Sequence, residues 1–172
     1  MPTPTEQRPV LQILRTKLEM ILEGIALVSL LIHAFVLFVR WGDLPQTTPV
    51  HFDIHGTPDG WGSKYLSLIP LGIAFVVYMG LSWLGRVPHY YNYPFRITAD
   101  NAPRQYLLGR TFLSFIKAKI ILVFAYISWM MIATAMGEAA GLHVFLLPIF
   151  LIFLFGSIII YFILSYRARE VR

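Results

Sequence analysis

The sequence predicts an all-α membrane protein: a four-transmembrane-helix bundle with an ordered extracytoplasmic loop between its first two helices. Three observations predict it. Of the 172 residues, 57% are hydrophobic and 13% are charged, about half the usual charged share of a soluble domain. Four apolar runs reach the roughly 20 residues that a helix needs to cross a bilayer. The Lys and Arg residues gather in three regions that four crossings place on one side.

Residues 1–19 come first. Their first long apolar run begins only near residue 20, and no small-x-small site precedes Arg40 and Trp41. They therefore read as a retained cytoplasmic amphipathic segment rather than a leader. Val10, Leu11, Leu14, Leu18, Ile21, Leu22 and Ile25 share one helical face. That pattern predicts a helix lying at the membrane interface before it turns into the first span.

The membrane domain follows over residues 20–166. Its spans are predicted at about 20–39, 66–84, 116–136 and 142–164, and residues 167–172 form a cytoplasmic tail. Pro70 falls in the first turn of the second span, where a missing N–H costs little. Pro148 falls further into the fourth and predicts a kink. In the inner basic loop, residues 86–115, Asn101 reads as a helix cap with Pro103 in the first turn. That helix carries Tyr106, Phe112 and Phe115 into the third span. Ala133, Gly137 and Gly141 have the spacing of close helix approach. The two glycines read better as punctuation of the short GEAAG turn.

Twelve of the 14 basic residues lie before residue 18, within 86–119 or after 166. Those regions, and both termini, are thus predicted to be cytoplasmic. The outer loop, residues 41–65, carries a net charge of −2 with His neutral. The overall +5 is accounted for by topology, facing anionic membrane lipids, and implies no nucleic-acid partner. The chain has no cysteine, which excludes disulfides and thiol chemistry.

The outer loop holds DLPQTTPVHFDIHGTPDGWGSK. This stretch resembles the signature of a bacterial membrane domain of unknown function found in SdpI-like immunity proteins: Leu-Pro, then Ile/Val-Pro-x-His-Phe, a Gly, and Pro-Asp-Gly-Trp-Gly-x-Lys. Here it falls on Leu44, Pro45, His51, Phe52, Gly56, Pro58, Asp59, Gly60, Trp61, Gly62 and Lys64; Pro49 agrees with the pattern, and Thr48 stands where it has Ile or Val. NYPFRITADNAPRQYLLGR resembles the segment that follows the second span in such relatives. The resemblance implies a multi-pass protein of the bacterial cytoplasmic membrane. It further implies protection against a secreted killing peptide and, for some members, sequestration of a cytoplasmic regulator. The chain ends after four spans, without the second half of SdpI-type proteins.

The loop residues admit more than one chemistry. If the segment is extended, His51, Asp53 and His55 share a face, and with Asp59 they form a candidate ligand set for a divalent metal. In the alternative, Asp59 accepts backbone N–H bonds in the Pro-Asp-Gly turn and His51 bonds nearby carbonyls. The two histidines also suggest a pH sensor. Gly56, Gly60 and Gly62 lack the setting of a phosphate loop and read as turn residues. Trp61 reads as an interfacial anchor or a binding platform, and Lys64 as its polar counterpart or a partner for Asp59.

Glu19 and Glu23 are expected to meet Arg15, Lys17 or a base of the middle loop, and His33 to be a hydrogen-bonded packing residue. Trp83, Tyr90, Tyr91 and Tyr93 read as an inner aromatic belt, and Tyr126 and Trp129 as packing residues. No Ser-His-Asp, HExxH or Walker pattern is present, and no cofactor is predicted beyond the candidate metal. Three functions fit: an immunity or receptor protein meeting an envelope or peptide ligand, a subunit of a larger membrane complex, and a metal-dependent membrane enzyme.

Overall fold

The computed structural model describes residues 8–169. Four helices are long and apolar enough to cross a membrane: α1 (Lys17–Arg40), α2 (Leu68–Leu84, entered through a 3-10 turn at Lys64–Ser67), α3 (Ala102–Ala135) and α4 (Leu146–Arg167). The protein is not all-α. Between α1 and α2, β1 (Thr47–Phe52) and β2 (Pro58–Ser63) pair as an antiparallel hairpin. Backbone groups in an interhelical segment must find partners, and a two-stranded ladder supplies them.

α3 is the organising element, packing against α1, α2, α4 and β1. Leu22, Ala26 and Leu30 of α1 meet Ala74 of α2 and Ala118 and Ile121 of α3 in one buried cluster. A second cluster, Leu37, Leu44 and Ile132, closes the hairpin end. α4 is peripheral, and its most apolar window has no buried residue. In a bilayer such a helix turns its apolar surface to lipid.

The N-terminal approach is not a helix. Residues 8–16 have no regular structure, and α1 begins at Lys17. Leu11 and Ile13 pack on a core of Tyr93, Ile97, Ala102 and Tyr106, while Val10 and Leu14 are exposed. The alternation has period two, that of an extended chain. Pro9 adds its own tie, since the Tyr106 hydroxyl donates to its carbonyl at 3.1 Å. Thr16 then starts α1 as a reciprocal cap with Glu19. Residues 1–7, part of the predicted amphipathic segment, lie outside the described residues, as do 170–172 of the tail.

This extended strap, the 85–101 connection and the end of α4 gather at one end of the molecule. Arg8 donates to the carbonyls of His89 and Tyr91, and Gln105 and Asn101 donate to the carbonyls of Ser165 and Arg169. Asn101 does not cap α3 with its side chain. Its amide accepts from Thr98 N–H and donates to the Arg96 carbonyl, so it clips the connection instead. Tyr91 and Tyr93 are not a lipid-facing belt. They stack inward, Tyr93 in turn on Tyr106, and only Trp83 and Tyr90 are exposed. Burial pushes the Tyr91 phenol up to about 12, and the Tyr93 phenol in the same direction.

The hairpin and the α3–α4 connection form the opposite end. Gly137, at φ +74°, ends α3. The amides of Gly137 and Glu138 turn back to the carbonyls of Thr134 and Ala133, which is the left-handed helix stop that glycine permits. Gly137 and Gly141 thus lie beyond α3 and make no helix–helix contact motif. α4 starts only at Leu146, so Pro148 sits in its first turn, where it removes no helical hydrogen bond and causes no kink.

Candidate functional site

The hairpin is built on an irregular ladder. Pro49 faces Trp61 and His51 faces Gly60, with register shifts around His51. Such bulges re-aim side chains. The result is a cross-strand pair: His51 Nδ1 lies 2.5 Å from Asp59 Oδ1. Both side chains are open to solvent, 71% and 48% exposed.

The turn belongs to Asp53 rather than Asp59. Asp53 Oδ1 accepts from the backbone N–H of His55 at 2.9 Å and of Thr57 at 2.8 Å. Its carboxylate is therefore spent on its own loop, and the predicted set His51, Asp53, His55 and Asp59 does not converge. Among the described residues no three His, Asp or Glu side chains are grouped to hold a metal ion. The expected Asp59 turn also gives way, because Asp59 lies in β2 and points across to His51.

The hairpin is braced from beneath. Thr48 Oγ1 and Ser67 Oγ are 3.0 Å apart and fully buried, joining β1 to the approach to α2. Lys64 donates to the Trp41 carbonyl at 3.4 Å and sits over the Trp41 ring, so its partner is Trp41 and not Asp59. At the tip, Gly56 adopts φ +86° and its carbonyl accepts from Leu142 N–H at 2.8 Å. A Cβ there would run into the Leu142 carbonyl. Phe52, Pro58, Gly60 and Gly62 are half-buried along the ribbon. Val50, Ile54 and Trp61 remain exposed among the described residues.

The buried charged groups Glu19 and Lys117 lie on the α1–α3 seam. Glu19 receives Arg110 in two bonds, 2.7 Å from Nε to Oε1 and 3.0 Å from Nη2 to Oε2. Arg110 also donates to the carbonyls of Ile13 and Leu14, tying the strap to α3. One turn on, Lys117 donates to Glu23 at 2.5 Å and to the Ser82 hydroxyl of α2 at 2.9 Å. The glutamates were expected to find Arg15, Lys17 or a base of the middle connection, and they find two of the last, Arg110 and Lys117, both on α3. A cavity of about 20 Å³ lies among these groups, room for about one water.

His33 departs from expectation. It is 3% exposed, and neither ring nitrogen has a hydrogen-bond partner among the described residues. Ser128 Oγ on α3 is buried and unpartnered in the same way. Leaving such a group unsatisfied costs roughly 1–3 kcal/mol. Both line a cavity of about 390 Å³ between α1 and α3. Trp129, expected to pack, is 58% exposed at its rim.

Sequence reasoning missed Ser82, Ser128 and the Gln105–Ser165 pair, whose Ser165 Oγ donates to Gln105 Oε1 at 2.5 Å. Isolated small hydroxyls in apolar spans carry no periodic signal. Only their neighbours across the seam give them meaning.

Residues 28–78 match the family model described as a domain of unknown function (DUF1648). The matched segment runs from the second half of α1, through the whole hairpin, to most of α2. No curated protein and no solved structure gives a match. The match and the four apolar helices together make the chain a multi-pass membrane protein carrying a domain of unknown function.

Proposed function

We propose that the chain is a bacterial cytoplasmic-membrane protein of the SdpI-like immunity and signalling kind, whose hairpin receives a secreted peptide or envelope ligand outside the cell. The carrying observation is the hairpin's contrast of faces. Its underside is fastened by Thr48–Ser67 and Gly56–Leu142, while Val50, Ile54, Trp61 and the His51–Asp59 pair stay bare. A ribbon of two strands keeps unpaired backbone groups on its outer edge, and an extended peptide binds such an edge by adding a strand. The exposed Trp61 gives the apolar anchor that recognition surfaces favour. The basic opposite end would face anionic lipid and a cytoplasmic regulator.

The test is protection. Cells lacking the chain should be sensitised to the peptide fraction of medium conditioned by the parent strain, and the intact chain should restore growth. Trp61→Ala and Asp59→Ala should restore it poorly at normal membrane abundance. An exposed polar pair of this kind contributes at most about 0–1 kcal/mol, so loss of Asp59 leaves the fold standing. Equal growth of deleted and parent cells would remove the proposal.

A second reading, a subunit of a larger membrane complex, draws on α4. Among the helices it packs chiefly on α3, and Ile152, Phe153, Phe155 and Ile159 are all exposed. Fixed partners co-purifying in mild detergent, and lost on Phe153→Ser, would favour it.

A further inference from the structure

The cavity between α1 and α3 is lined by no residue of the hairpin strands or turn among the described residues and has a different chemistry. His33 is seven residues before the end of α1, roughly 10 Å along the helix, and so within the hydrocarbon depth of the span. Ile32, Val36, Leu122 and Trp129 supply apolar lining, while His33 and Ser128 stand in the wall with buried polar atoms that have no partner among the described residues. Among the described residues no Lys, Arg, Asp or Glu lines the cavity. Its volume of about 390 Å³ is many times one water's share of roughly 30 Å³. It falls instead within the roughly 300–1,000 Å³ of small-molecule sites. Ile32, Leu122 and Trp129 are 55%, 46% and 58% exposed, so the opening is lateral, toward lipid.

We infer that this cavity binds an uncharged, membrane-dissolved amphiphile through a hydroxyl head group. A neutral imidazole offers one donor and one acceptor, and a serine hydroxyl offers both. A hydroxyl satisfies the two together, because it too donates and accepts. The apolar body of the ligand then lies along Ile32, Val36 and Trp129. A charged head finds no counter-ion there, and water alone leaves most of the wall unfilled.

The test uses the full chain in lipid nanodiscs and a long-chain alcohol carrying a photoreactive diazirine in its tail. Mass spectrometry should map the adducts to residues around His33 and Trp129. Unlabelled hexadecanol should displace the probe, and hexadecane should not. Ser128→Ala and His33→Leu should each lower labelling roughly tenfold. Ala125→Leu, which fills the cavity without touching either polar group, should abolish it. Because the three variants act independently, misfolding of one leaves the others decisive, with helical melts as the control for fold. Adducts spread evenly over the lipid-facing helices, equal displacement by the alkane, or labelling unchanged in the folded variants would each overturn the inference. Organic extraction of the purified chain separates two sources of the same chemistry. About one co-extracted neutral lipid per chain means a resident membrane lipid, and filling only by added alcohol means a ligand from outside.

Discussion

Arg110 of α3 grips Glu19 of α1 through two parallel bonds of 2.7 and 3.0 Å, with 11% and 3% of the two side chains exposed. The same guanidinium holds the carbonyls of Ile13 and Leu14. One residue thereby fixes the parallel register of α1 and α3 and the path of the strap that precedes them. Removing one partner of a buried pair costs about 3–5 kcal/mol, because the other charge is left uncompensated. Arg110→Ala should therefore lower the thermal midpoint in detergent by well over 5 °C. Arg110→Lys should recover little, since an ammonium cannot reproduce the planar fork. The double variant Glu19→Gln/Arg110→Gln should lose less than the sum of its singles, the coupling that a double-mutant cycle reads.

Gly56 is a second fixed point, at the other end. Its left-handed backbone costs other residues roughly 1–2 kcal/mol, and the Leu142 carbonyl occupies the space a Cβ would need. Gly56→Ala should detach the hairpin tip from the α3–α4 connection without unfolding the helices. Faster amide exchange at Leu142 and protease cleavage within 53–58 would report it, with the helical signal unchanged.

Both fixed points explain what the sequence could and could not tell. The spans were legible because length and apolarity are properties of a continuous run. The hairpin was hidden because Pro49, Gly60 and Gly62 break the alternation that marks a strand. The strap was misread because Val10, Leu11 and Leu14 fit a helical face until Leu11 and Ile13 find Tyr93 and Tyr106. Glu19 and Glu23 announced that bases were needed. Which bases depended on α1 lying parallel to α3, a relationship set by packing and written in neither segment alone. The ligand set at the hairpin failed for a local reason: Asp53 satisfies amides two and four residues on before it can reach a neighbour.

The stacked tyrosines give a pH dependence with a definite sign. Phenols in an unfolded chain ionise near pH ~10, whereas burial holds Tyr91 neutral up to about 12. Above pH ~10 the unfolded state releases a proton that the folded state keeps, so stability falls as pH rises. The contribution is fully present below pH ~10 and lost between there and about 12. Melting at pH 9 and pH 11 should show a lower midpoint at the higher pH. Tyr91→Phe should reduce that difference, with the raised Tyr93 phenol supplying the remainder, while losing some stability at both, because the bond from its hydroxyl to the Leu84 carbonyl, 3.0 Å, is gone.

The cysteine-free sequence allows the proposed orientation to be read without background. Ile54 is 82% exposed at the hairpin and Tyr90 is 74% exposed at the opposite end. A membrane-impermeant maleimide added to intact cells should label Ile54→Cys, and should label Tyr90→Cys only after permeabilisation. The expectation follows from charge. The strap, the 85–101 connection, the start of α3 and the end of α4 hold most of the basic residues at one end, and that excess is retained on the cytoplasmic side. The reverse labelling pattern would put the hairpin inside the cell and overturn the proposal that it receives a secreted peptide. The His33 cavity would stand unaffected, because a ligand dissolved in the hydrocarbon reaches it from the bilayer in either orientation.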